Sequence, residues 1–178
     1  MTQSSTTLTG SDKIDVVEGK LAQPTLYEFS YNQSGKFVVA QGSLKAGTIV
    51  FEETGVCKMK PDKYTVQLDG DNHILCSGPL IYCNHSCDPN CVARVEYGSV
   101  SFVAVRQIAE GEPITFDYNT TEYDMAEPFD CICGSENCKK RIAGFKNLSP
   151  EQQKLINRDL LSDFIRQKAE GSLLTVIN

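Results

Sequence analysis

The sequence predicts a mainly β protein that ends in a C-terminal helix. Between residues 26 and 118, short runs of β-branched and aromatic residues alternate with polar residues, and turn-forming residues separate the runs. Beyond residue 149, apolar residues recur at helical spacing instead. Because the strand-like runs follow one another without intervening helical patterns, we expect several small sheets and no repeated βαβ unit.

The predicted strands are short and closely spaced. Gly42 and Gly47 separate the second and third from their neighbours, and Asp69-Gly70 forms a strong turn signal after the fourth. A hairpin is expected around Tyr97-Gly98. The segments are residues 26–31, 36–40, 48–52, 64–68, 92–95, 100–105 and 114–118.

The C-terminal segment carries helix signals. Ser149 is placed to cap a helix and Pro150 occupies its first position, while Gly171 ends the apolar pattern. We expect one helix that packs on the sheets, with binding to a partner helix or groove as the alternative. The apolar positions are Leu155, Ile156, Leu160, Phe164 and Ile165.

Length and charge limit the function classes. A chain of 178 residues suits one domain with a sizeable core, and no apolar run reaches the roughly 18 residues of a membrane span. The net charge of −6 argues against direct nucleic-acid binding and is compatible with a basic substrate, although it could equally serve only solubility. Residues 1–10 are rich in Ser and Thr without the features of a signal peptide, so we expect a flexible tail and an intracellular protein, cytoplasmic or nuclear.

The cysteines indicate a metal site. Cys131, Cys133 and Cys138 place three thiols in one short segment, and Gly134 allows the backbone to curl around an ion. In a reducing compartment this pattern predicts tetrahedral zinc, whose fourth ligand must come from elsewhere in the chain. Cys91 is a weak alternative ligand.

Other interpretations of the cysteines stay open. The cluster could be one disulfide with spare thiols, or buried cysteines packed as small apolar groups. Cys131 and Cys133 are too close for an unstrained disulfide with each other. Cys83 and Cys91 are interpreted primarily as core or near-site thiols, and Cys57 and Cys76 as core residues.

Three motifs carry a family resemblance. Residues 84–91 read NHSCDPNC, residues 115–118 read TFDY, and the cysteine cluster follows. In this order they resemble the SET-domain family with its post-SET zinc-binding tail, over roughly residues 35–144. The chain departs from the family pattern in two places: Phe37 replaces the second glycine of the Gly-x-Gly loop, and Ile-Tyr-Cys at 81–83 replaces Arg-Phe-Ile.

The resemblance implies an organisation as well as an activity. It implies a SET-domain fold of several small sheets with a pseudoknot-like crossing, and it names Cys87 as the fourth zinc ligand. The implied divisions are a flexible tail at 1–20, the SET domain at 21–125, the post-SET segment at 126–145 and a helical extension at 146–178. The implied activity is S-adenosylmethionine-dependent methylation of a lysine amine in a protein or peptide.

By resemblance, Tyr118 and Phe116 are the candidate catalytic residues. Methyl transfer to an amine is an in-line displacement, so the enzyme mainly positions and desolvates the reactants. The Tyr118 oxygen can orient the methyl group through weak C–H···O contacts. Phe116 leaves room for further methyl groups where a tyrosine would crowd the channel, which implies di- or trimethylation. Tyr118 as a plain core tyrosine is the alternative.

Further residues are expected to bind the cofactor. By resemblance, the backbone at the Gly-x-Gly position approaches its methionine end, and Phe129 covers its adenine. The alternatives are ordinary structural roles: a strand start, half-buried or core aromatic residues, and a turn Asn beside a satisfied core His. The candidates are Lys36, Phe37, Tyr64, Asn84, His85 and Phe129.

Two other functions remain as hypotheses. The same chemistry could act on a small amine or a biosynthetic peptide. Alternatively, the chain could be a non-catalytic, zinc-stabilised interaction module, which the altered Gly-x-Gly loop favours. Retention of Asn84, His85 and Tyr118 argues against the second alternative. The sequence predicts no particular oligomeric state.

Overall fold

Short strands form five small sheets in the computed structural model, which describes residues 25–174, with side chains as far as residue 171. The predicted tail at 1–20 lies outside the described residues. The five small sheets confirm the predicted mainly β class. Within the described part, no helix is long and apolar enough to cross a lipid bilayer.

Antiparallel pairing joins five of the strands into two sheets. A two-stranded sheet joins β1 and β2, and a three-stranded sheet has the order β3-β9-β8, in which β3 pairs with the distant strand β9. Gly98 turns the β8–β9 hairpin at φ 84°, in the left-handed region that favours glycine, so the predicted hairpin is confirmed. These strands are β1 (Tyr27–Asn32), β2 (Gly35–Ala40), β3 (Ile49–Thr54), β8 (Cys91–Glu96) and β9 (Ser99–Ala104).

A second three-stranded sheet has the order β4-β6-β5. The predicted turn joins β5 to β6, where the Leu68 N–H donates to the Asn72 carbonyl at 2.9 Å. Two of these strands were not predicted, because three residues are too few for an alternating pattern to stand out. The strands are β4 (Val56–Lys58), β5 (Thr65–Gln67) and β6 (His73–Leu75).

A parallel strand pair brings distant segments together. The short strand β7 (Asn84–His85) pairs with β10 (Thr115–Phe116), although the β8–β9 hairpin separates them in sequence. The predicted strand at 114–118 is shortened because Asp117 accepts a hydrogen bond from the Asn119 N–H and caps a 3₁₀ helix, Tyr118–Thr120. The last small sheet pairs β11 (Phe129–Asp130) with β12 (Arg141–Ile142).

The main core packs directly against this parallel strand pair. Phe51 stacks on Phe102 with ring centroids 4.6 Å apart, and Phe102 meets the edge of Phe116 at 5.0 Å. Cys76, Cys83 and Cys91 are buried, as predicted. The expectation that Cys57 is also buried is wrong, because β4 is an edge strand of its sheet and Cys57 is exposed.

The predicted C-terminal helical segment is confirmed, but it is divided into two helices where one continuous helix was expected. The capping box of Ser149 and Gln152 begins α1 (Pro150–Leu155) as expected. The backbone is extended at Ile156, which ends α1. The Asn157 side chain accepts a hydrogen bond from the Asp159 N–H, and this local bond competes with continuation of the helix.

The second helix, α2 (Asp163–Leu174), continues past Gly171, the residue predicted to end the helix. The break also changes which apolar residues are covered: Leu155 is 82% exposed, whereas Leu161 is buried. The 3₁₀ helix Phe145–Asn147 and the C-terminal segment that follows it build a second small core. Its residues are Phe145, Leu148, Ile156, Leu161 and Ile165.

Candidate active site and metal centre

Tyr118 lies just beyond the parallel strand pair, with its phenol held in one orientation. The hydroxyl donates to the Cys83 carbonyl at 2.8 Å. Burial raises the pKa of this phenol well above its usual value, and the neighbouring Cys83 raises it further. The hydroxyl therefore stays protonated and donates to Cys83, while its oxygen lone pairs remain free to accept contacts.

His85 fixes the backbone beside this phenol. Its Nδ1 accepts a hydrogen bond from the Tyr118 N–H at 3.2 Å, so the ring proton lies on Nε2, which is 3.2 Å from the Cys87 Sγ. Burial lowers the pKa of His85 to about 4, although the carboxylate of Asp117 opposes the shift. The imidazole is therefore neutral, and its 3.6 Å contact with Asp117 is not an ion pair.

Asp117 forms its ion pair with Lys139. The Lys139 ammonium lies 2.8 Å from its carboxylate, and both side chains are almost fully buried. Breaking a buried pair of this kind leaves an uncompensated charge, which is strongly destabilising. The pair therefore ties the segment that carries the cysteine cluster to the turn that carries Tyr118.

A cavity of about 340 Å³ lies over the Tyr118 phenol. Four of the predicted site residues line it, namely Tyr64, Phe116, Tyr118 and Phe129. Its volume falls within the range of small-ligand pockets, and its aromatic walls suit a cation. The fold thus brings together predicted site residues that are more than 60 positions apart in sequence.

The other predicted cofactor residues lie outside that cavity lining. Asn84 is exposed, and its side chain makes no hydrogen bond among the described residues. Lys36 places its ammonium 3.7 Å from the Phe29 ring centroid, while Phe37 is half-buried in β2. The His85 ring packs edge-on against Tyr118 and Phe129, which line the cavity.

The cavity also contains an acid that the sequence analysis missed. Glu122 is buried, and one of its oxygens accepts a hydrogen bond from the Gln67 N–H at 2.8 Å. Burial raises the pKa of its carboxyl to about 7, although that hydrogen bond opposes the shift. A single Glu in a polar stretch carries no sequence signal, because only the folded chain determines its burial.

Four cysteines converge beside the β7–β10 strand pair. The Sγ atoms of Cys87, Cys131, Cys133 and Cys138 all lie within 4.8 Å of one another, and the Cys87–Cys131 pair is 3.9 Å apart. Zn–S bonds of about 2.3 Å place the sulfurs of a tetrahedron about 3.8 Å apart, so this set could hold a metal ion. Cys91 is buried in the main core and is not part of the cluster, so it is excluded as a ligand.

Two sulfurs of the cluster accept backbone hydrogen bonds. Backbone N–H groups of Lys139 and Cys133 donate to the sulfurs of Cys87 and Cys131, at 3.3 and 3.4 Å. Gly134 curls the backbone at φ 77°, as predicted from its place after Cys133. Hydrogen bonds to ligating sulfurs are a general feature of metal sites and orient the ligands.

Comparisons with known proteins agree with this geometry. The SET domain family model matches residues 35–119. Methyltransferase flvH of Aspergillus flavus is 32% identical over 147 residues, which cover 82% of this chain and 79% of that protein. The chain therefore belongs to the SET-domain family, and the named relatives are methyltransferases.

Histone-lysine N-methyltransferase 2D of Homo sapiens is 40% identical over 70 residues, covering 37% of this chain but only 1% of that protein. Among solved structures, KRYPTONITE in complex with mCHH DNA, H3(1-15) peptide and SAH is similar with a TM-score of 0.54 and 23% identity. That match covers 65% of this chain and 29% of that one and supports the fold alone.

Proposed function

We propose that the chain is an S-adenosylmethionine-dependent N-methyltransferase that acts on a lysine amine of a protein or peptide. The observation that carries the proposal is the Tyr118 phenol, which is half-buried, lines an aromatic cavity and is oriented by the Cys83 carbonyl at 2.8 Å. Methyl transfer requires positioning and desolvation more than covalent chemistry, and an oriented oxygen beside an aromatic wall favours both.

In this proposal, Tyr118 aligns the transferring methyl group. Its hydroxyl proton is committed to Cys83, so its oxygen presents lone pairs that can accept C–H···O contacts. Phe116 lies 4.7 Å from the Tyr118 ring and lines the same cavity without a polar group. We infer that the methylated amine can remain beside Phe116 for a second or third transfer.

The cofactor would be held by Lys36, Phe37, Asn84 and His85, with Tyr64 and Phe129 nearby. Two observations favour this set. The Asn84 amide is exposed and makes no hydrogen bond among the described residues, so it is available to a polar ligand. One edge of β2 pairs with β1. On its other edge, the Val38 carbonyl accepts a hydrogen bond from the Ile114 N–H at 2.9 Å, while Lys36 and Phe37 make no backbone hydrogen bond there among the described residues. When bound, S-adenosylmethionine supplies the electrophilic methyl group.

We further propose that the metal is zinc and that its role is structural. Its four ligands would be cysteines, which leaves no open position for a substrate, as is usual for structural zinc. The ion would attach the post-SET segment (126–145) to Cys87, two residues from His85. The SET domain itself would then span residues 21–125, with 146–178 as a helical extension.

Two measurements test the proposed function. Calorimetry with S-adenosylhomocysteine asks whether the cofactor binds, and failure to bind would favour the non-catalytic module. Radiolabelled methyl transfer to histone mixtures is then compared with transfer to free cellular amines. Transfer to histones or other proteins supports the proposal, whereas transfer to free amines alone would replace it with the small-amine hypothesis. Co-crystallisation with S-adenosylhomocysteine would locate the cofactor directly.

A further inference from the structure

Glu122 is the buried acid of the cavity that contains Tyr118 and Phe116. Its backbone N–H donates to the Tyr118 carbonyl at 2.9 Å, so the two residues are held in one turn of chain. One carboxylate oxygen accepts from Gln67. The other accepts no hydrogen bond from the described residues and is not fully enclosed by protein atoms.

Burying a carboxylate with one oxygen lacking a hydrogen bond costs free energy, unless a bound ligand or solvent donates to that oxygen. The charged groups that line the same cavity are Asp62, Lys63 and Glu127, and no ion pair joins Lys63 to Glu122 among the described residues. The phenols of Tyr64 and Tyr118 and the thiol of Cys83 complete the titratable lining. The cavity therefore lacks an internal cation for Glu122, and its aromatic walls favour a cation from solution.

Resting on the proposed function, we propose that Glu122 binds the ammonium group of the substrate and takes up the proton that the amine must lose before methyl transfer. The ammonium N–H bond breaks, the proton bonds to the free carboxylate oxygen, and the electron pair stays on nitrogen. That pair forms the new N–C bond while the S–C bond of the sulfonium donor breaks and its electrons remain on sulfur. The product is a methylammonium, and Glu122 returns its proton to solvent.

The acid–base properties of Glu122 suit this role. A proton acceptor is most effective when its pKa lies near the working pH, and burial raises the pKa of Glu122 to about 7. Glutamine at this position would keep the hydrogen bond from Gln67, because its carbonyl oxygen can also accept, but it could not take up a proton. Glu122→Gln therefore separates proton uptake from structural support.

The test is calorimetry of the full chain with n-butylammonium, in the presence and absence of S-adenosylhomocysteine. Titrations at pH 7 are run in two buffers with different ionisation enthalpies. The wild-type chain is expected to bind the cation and to release a fraction of a proton, because the cation favours the carboxylate form of Glu122. Glu122→Gln is expected to bind about 10–100-fold more weakly and to release no proton. Uncharged 1-butanol measures the apolar contribution alone.

Glu127→Gln is the matched control, since Glu127 is an exposed acid that lines the same cavity. It is expected to leave the proton release unchanged. Absence of n-butylammonium binding to the wild-type chain, or an unchanged affinity and proton release in Glu122→Gln, would overturn the role of Glu122. Failure of S-adenosylhomocysteine to bind would count against the proposed function instead, and the titrations without it would still decide the role of Glu122.

Discussion

The imidazole of His85 lies 3.2 Å from the Cys87 Sγ through its Nε2, while its Nδ1 accepts the backbone N–H of Tyr118 at the same distance. One neutral ring therefore joins the cysteine cluster to the residue proposed to align the methyl group. Because the ring cannot move without disturbing both hydrogen bonds, the cysteine cluster and the turn that carries Tyr118 are mechanically connected.

The first prediction concerns this ring. His85→Phe keeps an aromatic ring against Tyr118 and Phe129 but removes both hydrogen bonds. Loss of a hydrogen bond to a metal ligand generally lowers metal affinity by about 10–100-fold. We expect that loss in a zinc competition titration, together with a lower transfer rate. An unchanged zinc affinity would show that the contact with Cys87 is incidental.

The second prediction concerns the metal. Cys133→Ser is expected to release zinc and to make residues 126–145 sensitive to protease, while the sheets stay folded. Metal analysis and limited proteolysis measure the two effects. Cys57→Ser is the control, because Cys57 is exposed and lies outside the cluster. A wild-type chain purified without chelator and free of zinc would contradict the assignment.

The third prediction concerns Tyr118. Tyr118→Phe removes the oxygen without changing the ring, so S-adenosylhomocysteine affinity should persist while the transfer rate falls. The expected loss of transition-state stabilisation is about 2–4 kcal/mol, or about 30- to 1000-fold in rate. Calorimetry and single-turnover kinetics separate the two effects. Normal turnover in the variant would make Tyr118 a structural residue.

The fourth prediction concerns product state. Phe116→Tyr adds a hydroxyl to the cavity wall. The Phe116 and Tyr118 ring centroids are 4.7 Å apart. The added group occupies space that a growing methylammonium needs, so the first methylation should continue and later ones should be suppressed. Mass spectrometry of the product counts the methyl groups. Equal amounts of di- and trimethylated product in both proteins would remove Phe116 from this role.

The fifth prediction concerns stability and pH. The pKa of Glu122 is about 7 in the folded chain, against an ordinary value of 4.5, so the folded state binds more protons between these values. The free energy of unfolding therefore falls as the pH rises through this window and stays low above it. Relative to wild type, Glu122→Gln should gain about 2 kcal/mol between pH 5 and pH 8.

Urea unfolding of both proteins at the two pH values measures this difference, and groups common to both proteins cancel. Glu127→Gln, at an exposed site, is the matched control and should show no comparable gain. A difference that does not change with pH would mean that Glu122 is ionised in the folded chain as readily as in water.

Several features followed from the sequence because their causes are local. Alternating residues predicted most of the strands, Gly98 the hairpin, and Ser149 with Pro150 the helix start, each from side chains within a few positions. The three clustered cysteines indicated a metal site for the same reason. The break after Leu155 escaped this reasoning, because the apolar spacing continues through it while Asn157 redirects the backbone.

Only the tertiary structure decided which distant groups meet. The parallel pairing of β7 with β10 places His85 against Tyr118, and the return of the chain after β10 brings Cys131 to Cys87 across 44 positions. Burial of Glu122 likewise depends on strand β5, whose Gln67 it contacts from 55 positions away. Residue types and local spacing are properties of the chain, but burial, and with it the pKa of an acid, is set by what the fold packs around it.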